Sequence, residues 1–387
     1  MRPFFSLLLA IGCFLSLAAQ DYSIPFEEDR LVFIEVRVND DTTPLSFVFD
    51  TGASAAVLNK HHAERLGIQT TFQQSTGGAS GVANLDIATE QTLHFGELEL
   101  PVRHMALVDL THLEERSGRK IDGIVGYDII RRHITQLDFD NKQINLYSSS
   151  DEVTDIDAYS EIPISLNTSI PRVPLEFTLK NGTVIKGEFL FDSGANSNLI
   201  INTPFVRKHR LEDNIGDTYK RKHSGLNSSR YSSVGYIRSA SFNDIEFEDI
   251  PISLSNTKSG VLSRKGFAGL LGAGIINRFQ VVLDYQKGII FLKPNANMDK
   301  PFEHNYSGLS FIKKNGSLFI DDVVADSQAA TLGIQKGDEL VNVGEYNGSD
   351  LRTVMDLLQK TGKETITLKK ATGDIRAYTL SLERLIK

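Results

Sequence analysis

Two aspartates in this chain stand in near-identical surroundings: Phe47-Val48-Phe49-Asp50-Thr51-Gly52-Ala53-Ser54 and Phe189-Leu190-Phe191-Asp192-Ser193-Gly194-Ala195-Asn196. Two carboxyls folded face to face share one proton, because like charges at that range do not both ionise, and such a pair can activate a water. A bare Asp-[Ser/Thr]-Gly arises by chance on the order of a few tenths of a time in a chain this long. The wider surroundings therefore carry the argument.

Those surroundings are elements that would position the two carboxyls. Before the first copy, Val32, Ile34, Val36 and Val38 alternate with Phe33, Glu35 and Arg37; before the second, Val173, Leu175, Phe177 and Leu179 alternate with Pro174, Glu176, Thr178 and Lys180. Both patterns predict half-buried strands. After the aspartates come Ala56-Val57-Leu58-Asn59 and Leu199-Ile200-Ile201-Asn202, each leading into a short helical pattern, with Thr203 and Pro204 as cap and first turn of the second. Each copy closes with a second motif: Gly123-Ile124-Val125-Gly126 then Leu137-Asp138-Phe139, against Gly269-Leu270-Leu271-Gly272 then Leu283-Asp284-Tyr285. The interval from aspartate to last glycine is nearly equal in the two, which marks an internal duplication.

With both copies in view, the sequence resembles the aspartic peptidase superfamily, in which each lobe supplies one Asp-[Ser/Thr]-Gly loop and a hydrophobic-hydrophobic-Gly strand crosses beneath it. The resemblance implies a catalytic dyad of Asp50 and Asp192, hydroxyls of Thr51 and Ser193 that lock the loops together, and tight turns at Gly52 and Gly194. The crossing strands would be Ile124-Val125-Gly126 and Leu270-Leu271-Gly272. Ala53 and Ala195 follow the turn glycines as in the retroviral-type branch, and both copies lie in one chain as in pepsin. The likeness covers roughly residues 25–294. It implies a glycine-rich flap over the cleft, for which Gly77, Gly78 and Gly81 in Gly77-Gly78-Ala79-Ser80-Gly81 are the candidates. Gly225 in His223-Ser224-Gly225-Leu226-Asn227 is the counterpart in the second copy.

Beyond Asn295-Ala296-Asn297-Met298-Asp299-Lys300-Pro301 the pattern changes. Gly308-Leu309-Ser310-Phe311, Lys336-Gly337-Asp338-Glu339-Leu340 and an amphipathic segment from Asp350 to Lys360 resemble a bacterial-type PDZ domain. That resemblance implies a loop of Gly308, Leu309, Ser310 and Phe311 whose backbone donors receive the carboxylate of a peptide C-terminus, while the peptide adds a strand.

The expected fold is mainly β: a bilobal aspartic-peptidase barrel pair with a C-terminal PDZ domain. The divisions are a signal peptide at 1–19, lobe 1 at 20–147, a linker at 148–158, lobe 2 at 159–294 and the PDZ domain at 302–387. The leader reading rests on Arg2, the apolar run from Phe4 to Leu17, and Ala18 and Ala19. That run is too short to span a bilayer, so no transmembrane segment is expected in the mature chain. Cys13, the only cysteine, lies within the run, which leaves the mature chain without a disulfide and suits a bacterial periplasm or envelope. A lipid-attachment reading of Ala10-Ile11-Gly12-Cys13 is poorer, because apolar residues continue past the cysteine.

Other chemistries lack a foundation. A net charge of −8 with no basic stripe argues against nucleic acid. Motifs for zinc hydrolysis, serine hydrolysis and nucleotide binding are missing, and no cofactor or metal is expected. The adjacent His61 and His62 are expected to face solvent. The reading is thus an exported, monomeric aspartic endopeptidase acting on peptides or proteins, with C-terminal peptides as partners of the PDZ domain. The alternative is a non-catalytic peptide-binding or scaffolding protein of the envelope.

Overall fold

The computed structural model of the protein describes residues 21–386 apart from 79, 80, 167, 226 and 227. The expected leader at 1–19 and the loop residues Ala79, Ser80, Leu226 and Asn227 lie outside the described residues. The chain is mainly β, as its alternating patterns require. Among the described residues no helix is long and apolar enough to cross a membrane.

In the first half, the alternating run forms the strand Leu31–Val38 and buries Val32, Ile34, Val36 and Val38. Phe33, expected on the outer face, is buried as well: it joins Val48, Val57 and Ile124 in a second apolar layer, and the Arg119 guanidinium lies 4.3 Å above its ring. There follow β1 (Leu45–Asp50), β2 (Ala56–Asn59), the hairpin of β3 (Phe72–Gly77) and β4 (Val82–Phe95), the helix α1 (Thr111–Ser117) and β5 (Gly123–Gly126). Strands β1 and β2, which flank the Asp50 loop, are not neighbours; β5 runs between them, parallel to β1 and antiparallel to β2. Pairing of Leu31–Val38 with β4 closes the sheet on itself.

The second half repeats this plan. Its elements are β6 (Val184–Asp192), β7 (Leu199–Ile201), the hairpin of β8 (Tyr219–Gly225) and β9 (Ser228–Phe242), and β10 (Gly269–Gly272). Strand β10 runs between β6 and β7, and Arg172–Thr178 pairs with β9 to close the ring. Here the alternation holds, with Val173, Leu175, Phe177 and Leu179 all buried. The helix after β7 is capped by Asn202, one residue earlier than the sequence suggests: Asn202 Oδ1 accepts the Phe205 N–H at 2.8 Å, and Thr203 is already inside the first turn.

The halves share a floor. Ile134–Asp138 pairs with Phe279–Asp284, which pairs with Ile289–Pro294, and that strand in turn takes Ser160–Pro163 as its edge. The stretch at 148–158 is folded into two short 3-10 turns, the first capped by Ser149 and Glu152, with Val153 buried. Residues 295–301 are likewise held: Arg278 donates to the carbonyls of Met298 and Lys300 at 2.8 and 2.5 Å and stacks on Phe302.

The remainder is a separate sheet with its own core, in which Leu309, Phe311, Ile320, Val354 and Leu358 meet. It contains β11 (Leu309–Lys314), β12 (Ser317–Val323) and the helix α2 (Leu351–Leu358), whose first turn is capped by Asp350 accepting from Thr353 N–H at 2.9 Å. Strand β11 pairs with β12 on one side and forms the edge of this sheet.

Candidate active site

The two repeated loops meet at the centre of the molecule. Asp50 ends β1 opposite Gly126 of β5, and Asp192 ends β6 opposite Gly272 of β10. No side chain fits at these crossing glycines: a Cβ on Gly126 would overlap the Asp50 carbonyl, and one on Gly272 would overlap the carbonyl of Ser197. The parallel strands thereby bring each aspartate to the same level at the cleft floor.

Thr51 and Ser193, both fully buried, join the loops by four reciprocal hydrogen bonds. Thr51 Oγ1 donates to Phe191 O at 2.6 Å and accepts from Ser193 N–H at 3.0 Å; Ser193 Oγ donates to Phe49 O at 3.1 Å and accepts from Thr51 N–H at 3.0 Å. Each turn glycine then backs the opposite carboxylate. A Cβ on Gly52 would lie 2.6 Å from Asp192 Cγ, and a Cβ on Gly194 would overlap Asp50 Cγ. Only a residue without a side chain lets the loops approach this closely.

The two carboxyls are within hydrogen-bond reach of one another, and both are half-buried at the cleft floor. Burial, followed by the charge of Asp50 and the hydrogen bond to it, pushes the Asp192 carboxyl well above the usual carboxylate range. Burial also raises Asp50, but the Gly52 N–H, the Asp192 proton and the Gly194 N–H oppose it, the first donating to Oδ1 at 2.7 Å. Both carboxyls are thus raised, and the resting pair shares one proton and titrates as a unit. The closing motif of the second copy brings Tyr285 near Asp50, a role its pattern did not signal; its ring pairs with Tyr127, its buried hydroxyl has no hydrogen-bond partner, and burial, then Tyr127 and the Asp50 charge, raise its pKa.

The dyad opens into a cleft of about 1300 Å³. Gly77 and Gly78 line it, and the first hairpin crosses to the second half, where Gly78 O accepts the Val261 N–H at 2.9 Å. Gly81 is buried just before β4 begins, and Gly225 ends β8, paired with Ser228. The second hairpin contributes Arg221, Lys222 and Tyr231 to the cleft wall.

The C-terminal unit is part of the same wall, since Leu309, Ser310, Phe311 and Met355 also face the cleft. Two of the expected carboxylate donors are engaged within the loop: Gly308 N–H donates to Asn305 Oδ1 at 2.9 Å and Leu309 N–H to Ser307 Oγ at 3.2 Å. Gly308 has φ of +74°, which glycine adopts without strain. His62 departs from the expected solvent-facing pair. Its Nε2 lies 2.7 Å from Asp122 Oδ1, while Asp122 Oδ2 accepts from Ser46 N–H, so the carboxylate braces β1 rather than the cleft.

Comparison with known proteins agrees with this geometry in the first half. Residues 34–129, which contain Asp50 and β5, match the aspartyl protease family. Over 160 residues the chain is 25% identical to the UBA domain-containing protein Mud1 of Schizosaccharomyces pombe, a stretch covering 40% of this chain and 42% of that protein. The chain thus spans less than half the length of the curated relative it matches.

Proposed function

We propose that the chain is an aspartic endopeptidase whose catalytic groups are Asp50 and Asp192. The observation that carries this reading is the half-buried, face-to-face carboxyl pair at the floor of a cleft of about 1300 Å³. The ionised carboxyl of the pair takes a proton from a water lying between them, and the water oxygen attacks the scissile carbonyl carbon. The protonated carboxyl donates to the developing oxyanion. As the C–N bond breaks, the carboxyl that took the water proton passes it to the leaving nitrogen, while a hydroxyl of the tetrahedral diol returns its proton to the other carboxyl; the products are a carboxyl and an amine, and the dyad again holds one proton.

The fuller reading has the two closed sheets as the two lobes of such an enzyme and the β3–β4 hairpin as a flap. Residues 302–387 are read as a PDZ-type module in which a peptide C-terminus would add beside the edge strand β11, at Gly308, Leu309, Ser310 and Phe311. Its edge strand flanked by α2 supports this, whereas a carboxylate there would compete with Asn305 and Ser307 for two donors. An exported monomer of the periplasm or envelope is the setting that the leader-like start of the sequence supports.

The deciding experiment incubates the purified chain with a diverse peptide pool, with and without pepstatin, and sequences new termini by mass spectrometry. Asp50→Asn or Asp192→Asn should each remove nearly all cleavage, since one carboxyl alone cannot share the proton. Substantial turnover by either variant would rule out the dyad mechanism, and binding of peptides without any cleavage by the wild type would favour a scaffolding role.

A further inference from the structure

Asp321 lies on β12 of the C-terminal unit, against residues of the cleft wall. It is 3% exposed, yet it belongs to neither half that carries the catalytic loops. Arg116 of α1 donates to its Oδ2 at 2.6 Å, and Lys222 of β8 donates to its Oδ1 at 2.9 Å; Lys336 stands 3.4 Å away. Arg116 and Lys222 both line the cleft, one from the first half and one from the second hairpin. One carboxylate thus ties together two opposed walls.

The surrounding contacts repeat this pattern. On the second half, Tyr231 donates to Asp322 at 2.9 Å, and Tyr219 and Val234 pack on Val324, Leu385 and Ile386. On the first half, Glu115 of α1 pairs with Lys314 of β11 at 3.3 Å, and Gly118 abuts Leu351 at the start of α2. The C-terminal unit spans the cleft from outside. Although burial works against it, Lys222, Arg116 and Lys336 hold the Asp321 carboxyl below its usual range.

We propose that Asp321 is a positioning residue for the dyad cleft: it sets the spacing between α1 and the β8–β9 hairpin by holding Arg116 and Lys222 on one carboxylate. This rests on the dyad reading for its effect on catalysis, though not for its effect on the walls. Neutralising Asp321 would leave Arg116, Lys222 and Lys336 close together without the carboxylate that holds them, and they would repel. The hairpin then swings from α1, and the cleft loses its grip on substrate before the dyad loses its geometry, which Thr51 and Ser193 maintain independently.

The test is Asp321→Asn in the full chain, read in two ways. With a short unstructured peptide that the wild type cleaves, KM should rise about tenfold, or about 1.4 kcal/mol, a size typical of coupling between sites. Meanwhile kcat should stay within about twofold, the signature of lost binding shared by ground and transition states. Amide hydrogen exchange should accelerate together in 111–117, 219–225 and 228–234. Asp321→Glu should restore both readouts, and Lys222→Met should accelerate exchange in the hairpin alone. Unchanged exchange in 219–225 and 228–234 overturns the proposal. So does acceleration confined to 309–343, which would make Asp321 a folding residue of its own unit. Because exchange needs no substrate, a chain that cleaves nothing would count against the dyad and still decide the role of Asp321.

Discussion

Replacing Thr51 by alanine tests whether the two aspartate loops are held by each other. The hydroxyl donates to Phe191 O and accepts from Ser193 N–H, both inside the protein. Alanine leaves that carbonyl and that N–H buried without partners, and each unsatisfied group costs about 1–3 kcal/mol. The expected loss is therefore about 2–6 kcal/mol, a large part of the roughly 5–15 kcal/mol that holds a typical domain folded. Thr51→Ser keeps the hydroxyl and removes one methyl, so it should cost only about 1 kcal/mol. The assay is urea unfolding of wild type and both variants, with kcat/KM measured on the same preparations. Thr51→Ala should lower the midpoint markedly and cut the rate at least about tenfold, because the facing geometry worth several kcal/mol slackens. Thr51→Ser should stay close to wild type. If Thr51→Ala unfolds at the wild-type midpoint with the wild-type rate, the reciprocal bonds do not hold the dyad and the reasoning fails.

Three further outcomes follow from the same geometry. Burial keeps the Asp192 carboxyl protonated at pH values where the unfolded carboxyl, at about 3.9, has lost its proton, so wild-type stability should fall as pH rises above that value. Asp192→Asn removes this term; the variant should match wild type at pH near 4 and exceed it at neutral pH by urea unfolding, and a constant difference across pH would contradict the assignment. Gly194→Ala places a methyl against the Asp50 carboxylate and should abolish cleavage while circular dichroism shows retained sheet; an active variant would mean that the loops can part without consequence. A chain ending near Met298 loses Phe302 from Arg278, the partners of Lys222 and Tyr231, and one wall of the cleft. It should cleave even short peptides more weakly than the full chain, and equal kinetics would show that the C-terminal unit is independent of the cleft.

The sequence by itself determined the scaffold and pointed to the chemistry proposed for it. The paired Asp-[Ser/Thr]-Gly turns, the strands leading into them and the glycine-ended strands that cross beneath are local patterns repeated in order, and each repeat folds to the same closed sheet. Local periodicity reports which face of an element is apolar, so the burial of Val173, Leu175, Phe177 and Leu179 is legible in the sequence alone. It does not report which distant element covers that face. Alternation places Phe33 on the outer face of its strand, and nothing in its neighbourhood announces the second apolar layer above it. The shared floor, where Ile134–Asp138 meets Phe279–Asp284, joins segments more than a hundred residues apart whose strand patterns would suit many partners. Asp321 read as one acid among 49 Asp and Glu residues. Only tertiary structure decided that it would be buried between Arg116 and Lys222, because a charge acquires a role from the charges brought against it and from the water that folding excludes.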